Sequence, residues 1–442
     1  MSSQTGFPTL SKLESSLYSK FSVTKNGFLP ATQPMRRLPD NYYEPWEEIV
    51  ESIPHLIRNN TIRSAVDVLP VLSTSRLSSE TEWRRAYVIL SFLTHGYIWG
   101  GDRPSEVLPP QITRPYLEVA AHLDIPPVAT YAALNLWNFS STSEDEDFTE
   151  PDNLQALQTF TGTDDESWFY VLSVAVESRG AAIIPNMLGA VEAIKHQDYD
   201  TVTRALVEMT IQIGRLTLLL GRMIERCDPE IFYHQIRPFL AGTRNMKSAG
   251  LPMGVFFDEG DGKGEWRQLR GGSNGQSSLI QFFDLVLGVN HTLSADRSSP
   301  PAASNTVSGQ SERSFHEEVR FYMPGPHRRF LDNVSMMDKI RDFAMFTRTC
   351  IPSLEQHHVR QAYQEATKAL GDFRQAHMQM VTRYIIVPSR KPAAVPSSPL
   401  NLAWASSQSS RSELTGTGGT SLIPFLRTTR DLTYAAGMMS SG

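Results

Sequence analysis

Apolar residues recur mostly three and four positions apart along this chain, the spacing of a helix with one buried face. Leu206, Met209, Ile213, Leu216 and Leu220 show it most clearly and predict a helix over Val202–Arg226. Trp46, Ile49, Ile53 and Leu56 predict one over Asn41–Ile57, with Pro54 as a kink or an end. Glu80–Tyr97, Ile112–Leu123 and Asp165–Val176 read the same way. Pro126 and Pro127 suit a first helical turn and predict a helix through Leu136. A long helix is expected over Leu354–Ile386. Runs that alternate apolar and polar residues between turns are scarce, so no large sheet is expected and the fold class is all-α.

Four polar stretches interrupt this pattern: 1–35, Ser140–Asn153, Thr292–Ser314 and Pro388–Ser421. Their Ser, Pro, Gly or acidic composition is that of linkers. They predict a polar N-terminal extension (1–35), a small helical domain (36–150) and a large helical domain (151–442), with flexible loops at 292–314 and 388–421. With 442 residues, 40% apolar and 20% charged, the chain can bury a sizeable core. A net charge of −6 argues against a nucleic-acid partner bound through a broad basic face. Two cysteines, Cys227 and Cys350, leave no disulfide framework and no multi-cysteine zinc site. The opening residues lack the apolar core of a secretory signal, and no uncharged apolar run reaches the roughly 18 residues of a membrane span. A cytoplasmic protein without membrane contact is expected.

The long helix carries the most informative residue. Its seam runs Val359, Tyr363, Ala366, Leu370 and Phe373, resumes at Val381 and Tyr384, and puts His377 between. A histidine there is either a hydrogen-bonded core residue, the commoner case, or a neutral imidazole projecting toward a haem iron. Arg374 lies one turn earlier and is either a solvated arginine or a partner for a haem propionate. Asp284 sits in the apolar run after GGSNG (271–275) and needs a partner, either a histidine N–H or a salt bridge. GGSNG lacks the Lys-Ser/Thr ending of a nucleotide loop. Phe232-Tyr233-His234-Gln235-Ile236-Arg237 could pack on an aromatic ligand and pair with its carboxylate, or simply pack in the core. GTGGT (416–420) reads as a linker or a hinged lid. His327, between prolines and arginines, suggests a loop or helix start with charged neighbours.

In this order, these segments resemble the indoleamine 2,3-dioxygenases, with the long polar inserts of fungal-type members. The resemblance is carried by LPDNYYEPW (38–46), YIWGG (97–101), LPPQITRPY (108–116), IPPVATYA (125–132), GGSNGQSSLIQFFDLVLG (271–288), RFYMPGPHRRFL (320–331), HMQMVTRYIIVP (377–388) and GTGGTSLIPFL (416–426). It implies two helical domains holding haem b, ferrous in the active state, with His377 as the iron ligand. Arg374, Asp284, Gly272 and Ser273 would border the haem. Tyr131, Phe169, Ser173, Phe232, Arg237 and Thr417 would line the substrate site, Arg237 taking the carboxylate and Thr417 the ammonium. No side chain is assigned as an essential acid or base, and His234 is expected to point away from the aromatic side.

The implied reaction adds both atoms of O2 across the indole C2–C3 bond of L-tryptophan, giving N-formyl-L-kynurenine on the route to NAD. It needs an electron donor to keep the iron ferrous, and a monomer is expected. A haem protein of the same fold that binds O2 without turnover, or a helical scaffold without cofactor, are the other readings. The chain departs from the family at Tyr233, Leu134, Asn274, two or three extra polar residues at 178–180, and Asn135, which is polar where an apolar side chain is usual.

Overall fold

The computed structural model describes residues 18–291, 315–346, 353–390 and 422–438. Within them the chain is mostly helical, as its periodicity predicts. Helix α1 (Glu44–Arg58) buries Trp46, Val50 and Ile53 and runs through Pro54 instead of ending there. Helix α2 (Glu80–Trp99) starts at a reciprocal cap. Ser79 accepts from the Glu82 N–H, and the Glu82 carboxylate accepts from the Ser78 N–H. This helix is buried on nearly every side and forms the axis of the N-terminal half. Helix α3 (Pro110–His122) packs beside it.

The helix expected to start at Pro126–Pro127 is absent; helical geometry begins only at Tyr131. Side chains of α2 compete for the intervening backbone. Tyr87 Oη lies 2.7 Å from the Pro126 carbonyl and 2.8 Å from that of Val128, and His95 Nε2 accepts from the Ala129 N–H at 3.1 Å. With those groups engaged, the segment crosses the core in irregular form.

Helices α4 (Asp164–Gly180), α5 (Ile183–Ile194) and α6 (Tyr199–Gly221) follow. Helix α7 (Ser278–Leu287) is capped by Ser277 and closed by Gly288, whose φ of 65° is the left-handed region glycine tolerates. Helix α8 (Gly325–Ser335) leads on to α9 (Leu354–Val381), the longest, capped by Ser353. Helix α9 packs along α6 and along α10 (Leu422–Ala436).

Strands are few and short. β1 (Val107–Leu108) pairs in parallel with β4 (Val255–Gly260), which pairs antiparallel with β5 (Lys263–Arg267). β2 (Phe139–Ser141) pairs antiparallel with β3 (Leu154–Ala156), Phe139 opposite Ala156. That ribbon corrects the expectation of a linker at Ser140–Asn153. Its connection is pinned by Phe148, which is fully buried with its ring edge-on to Phe139 at 4.9 Å. The N-terminal stretch is likewise anchored from residue 18 onward, with Phe28 buried against Phe330 and His327.

The buried apolar residues form two clusters. One is built from α1–α4 and the segments through Phe257, and the other from α5–α9 with Val23 and Phe28. Val176 and Tyr384 belong near their junction, and there the chain leaves a cavity.

Candidate functional site

The cavity has a volume of about 290 Å³. One wall comes from α4, where Phe169, Ser173 and Val176 fall on a single face at helical spacing. Opposite elements supply α9, with Arg374, His377 and Val381, and α7, with Asp284. Among the described residues, three π-helical turns complete the wall: Ala132–Leu136, Phe232–Ile236 and Thr382–Ile386. They bring Asn135, Phe232 and Tyr384 to the cavity. Ten of the eleven residues singled out from the sequence line it: Tyr131, Phe169, Ser173, Phe232, Arg237, Gly272, Ser273, Asp284, Arg374 and His377. Thr417 lies outside the described residues, as do GTGGT and the segment 292–314.

His377 faces the cavity from α9. Burial, and then the Arg374 guanidinium, push its imidazole down to about 4, so the ring is neutral at pH 7 with a lone pair available to a metal. Asp284 is tied to α9 by a salt bridge, not by the seam histidine. Arg374 Nη2 donates to both carboxylate oxygens at 2.7 Å, and Nη1 donates to Thr433 on α10. The histidine that Asp284 meets is His291, at 3.0 Å. His291 stacks on His316 with centroids 3.9 Å apart. Potential ligand atoms of Asp284, His291 and His316 lie within 4.8 Å of one another. The Arg374 cation already on that carboxylate opposes a metal ion there. Burial alone would raise the Asp284 carboxyl, but Arg374 and His291 outweigh it and hold it well below the usual range.

Tyr131 is fixed through each of its polar groups. Its N–H donates to Gln276 Oε1 at 2.8 Å, its carbonyl accepts from Asn135 Nδ2 at 3.2 Å, and its hydroxyl donates to Glu177 Oε1 at 3.1 Å. Ser277 Oγ donates to the same Glu177 oxygen at 2.6 Å. Burial raises Glu177 to about 7, against those two hydrogen bonds. Glu177 was not singled out from the sequence. Its signal was a carboxylate four residues after Ser173 on the same face of an apolar run. His95 was also missed. Besides accepting from Ala129, it bonds the Phe239 carbonyl at 2.7 Å, which ties the helix of Arg237 to the segment before Tyr131.

Aromatic rings and a cation meet at the other end. Phe169 and Phe232 lie 4.9 Å apart at a tilt, and Phe232 meets Tyr384 edge-on at 5.7 Å. The Arg237 guanidinium is buried at the cavity, 5.4 Å over the Tyr233 ring, and burial lowers its pKa. His234 pairs with Glu230 at 3.3 Å, lies edge-on to the Tyr233 ring and is not among the lining residues. His327 lies at a helix start, the first turn of α8, where burial and then the Arg84 charge lower its pKa; it packs against Phe28 and is not among the lining residues. Gly272 is required by close approach, because a Cβ there would lie 2.4 Å from Leu134 Cδ1 and 3.0 Å from the Ala129 carbonyl.

The sequence model of the indoleamine 2,3-dioxygenases matches residues 17–436. An indoleamine 2,3-dioxygenase of Aspergillus nanangensis is 41% identical over 417 residues, covering 93% of this chain and 94% of that one. The indoleamine 2,3-dioxygenase of Saccharomyces cerevisiae is 39% identical, covering 93% and 91%. A 6-hydroxytryptophan 2,3-dioxygenase of Fusarium equiseti is 37% identical, covering 92% and 94%. With a family match over nearly the whole length and a mostly helical fold, the chain belongs to the indoleamine 2,3-dioxygenase family and is a haem-dependent dioxygenase of that type.

Proposed function

We propose that the enzyme cleaves the C2–C3 bond of L-tryptophan with O2 to give N-formyl-L-kynurenine, the first step of the kynurenine route toward NAD. The observation that carries this reading is the pairing, in one cavity, of the neutral His377 imidazole with an aromatic wall and the buried Arg237 guanidinium. The residues present fit haem b. His377 offers an unprotonated nitrogen from a rigid helix, and Val176, Leu220, Val381 and Ile385 give an apolar lining. When bound and ferrous, the haem supplies the O2 chemistry.

The chain's own residues orient and enclose the substrate. Arg237 pairs with the carboxylate in a bidentate geometry that its planar guanidinium favours. Phe169, Phe232 and Tyr384 pack against the indole and keep water out. Glu177 and Gln276 hold Tyr131 in the wall. Arg374, braced by Asp284 and Thr433, retains N–H donors for a propionate. Thr417 takes the ammonium in this reading. No side chain serves as an essential acid or base. A separate electron donor keeps the iron reduced, and the working form is a cytoplasmic monomer. No helix among the described residues is long and apolar enough to cross a membrane.

The test is an absorption spectrum of the reduced protein under CO, for wild type and His377→Ala, followed by a product assay. A haem band that shifts or collapses in the variant, with N-formyl-L-kynurenine formed by wild type, is expected. A wild type that takes up no haem, or takes it up and leaves tryptophan intact, overturns the proposal.

A further inference from the structure

Glu177 is 1% exposed and sits behind the cavity wall, not among the lining residues. It joins three pieces of that wall. It belongs to α4, one turn beyond Ser173 and on the same face. Its Oε1 accepts from the hydroxyl of Tyr131, the residue before the Ala132–Leu136 turn, and from that of Ser277, the N-cap of α7. One turn further on, α4 and α7 meet tightly: a Cβ on Gly180 would lie 2.4 Å from Leu279 Cδ2. Gln276 extends the junction to the haem-edge loop, accepting from the Tyr131 N–H and donating to the Gly271 carbonyl, each at 2.8 Å. Among the described residues no cation pairs with Glu177. Charged groups of the neighbouring elements are engaged elsewhere: Asp284 of α7 with Arg374, Arg270 before the loop with Glu318, and Arg222 after α6 with Glu150 and Asp152. Tyr131 is the titratable group that faces it, and burial and then Glu177 hold that phenol protonated. Both bonds fall on Oε1, while Oε2 is buried with no hydrogen-bond partner. This arrangement suits a neutral acid with Oε1 as its carbonyl and the proton on Oε2; a full charge there has no counterion.

We propose that Glu177 is a positioning residue for substrate binding: as a neutral acid it clips α4 to Tyr131 and to the start of α7, and its ionisation parts them. This rests on the indole dioxygenase reading above. An ionised Glu177 finds relief in hydration, and room for water comes from separating α4 from Tyr131 and Ser277. The wall that moves holds Phe169 and Ser173 on α4 and Asn135 on the turn after Tyr131. Substrate then binds only the molecules in which Glu177 is neutral, and its apparent affinity falls by that fraction. Burial raises this carboxyl to about 7. The neutral fraction therefore drops about tenfold between about pH 6 and about pH 8.

The experiment uses the haem-loaded enzyme, with wild type, Glu177→Gln and Glu177→Leu assayed on tryptophan across that pH window. The haem absorption band is recorded at each pH, so that rates refer to loaded enzyme. In wild type KM should rise about tenfold toward the alkaline end while kcat changes little, since bound substrate selects the clipped form. Glu177→Gln keeps a carbonyl for both hydroxyls and cannot ionise, so its KM should stay level. Glu177→Leu accepts from neither hydroxyl, and its KM should be high and level throughout. A level wild-type KM overturns the role of Glu177. So does a rise that persists in Glu177→Gln, or a pH effect confined to kcat. Failure of the loaded enzyme to cleave tryptophan at any pH overturns the dioxygenase reading itself. The wild-type profile decides even where a variant does not fold.

Discussion

Replacing Asp284 by alanine strands the Arg374 guanidinium where it is only 8% exposed. The carboxylate that would be lost accepts two 2.7 Å contacts from Arg374 and lies 3.0 Å from His291. Breaking a buried pair from one side costs about 3–5 kcal/mol, because the surviving charge keeps its burial and loses its partner. Thr433 still accepts one guanidinium bond, so the lower end, about 3 kcal/mol, is expected. Replacing both partners, Asp284→Leu with Arg374→Met, removes the charge as well and should be close to neutral. Urea midpoints of the haem-free protein at neutral pH measure all three, free of any stabilisation by a bound group. The sign of the pH dependence follows from the lowered carboxyl of Asp284. Its contribution is complete above the unfolded value near 4 and is lost as pH falls below it. The gap between wild type and Asp284→Ala should therefore narrow on acidification. A single variant costing under about 1 kcal/mol, or a double variant worse than the single, refutes the reasoning.

Two further outcomes can be checked on stability. Glu177 is raised to about 7, so the folded protein keeps a proton that the unfolded chain releases near 4.3. Wild type should lose about 3 kcal/mol as pH rises from about 4.5 to about 7, and Glu177→Gln should not; parallel melting curves across that window refute this. Phe148→Ala should destabilise the ribbon by about 3 kcal/mol and open residues 142–153 to limited proteolysis; an unchanged cleavage rate refutes the anchoring role.

The helices and most of the site were legible because their signals are local. The seam of α9 shows that one histidine interrupts an apolar face, and the ordered motifs supply the remaining lining residues. What stayed hidden depends on partners distant in sequence. Glu177 meets Ser277 across 100 positions, and His95 meets Phe239 across 144. The irregular path through Pro126–Thr130 follows from Tyr87 and His95, which take backbone groups that a local reading assigns to a helix. The stretch Ser140–Asn153 has the average composition of a linker, and one buried ring, Phe148, overrides that average.

The π-helical turns at Ala132–Leu136, Phe232–Ile236 and Thr382–Ile386 bear on how such a pocket can change. A π turn holds one residue more than the α turn it replaces. Deleting that residue restores ordinary helix and swings every later side chain of the element by about 100°. Length changes of a single codon, normally tolerated only in surface loops, are thus a route to a new cavity outline here. They can redirect Asn135, Phe232 or Tyr384 without exchanging any of them.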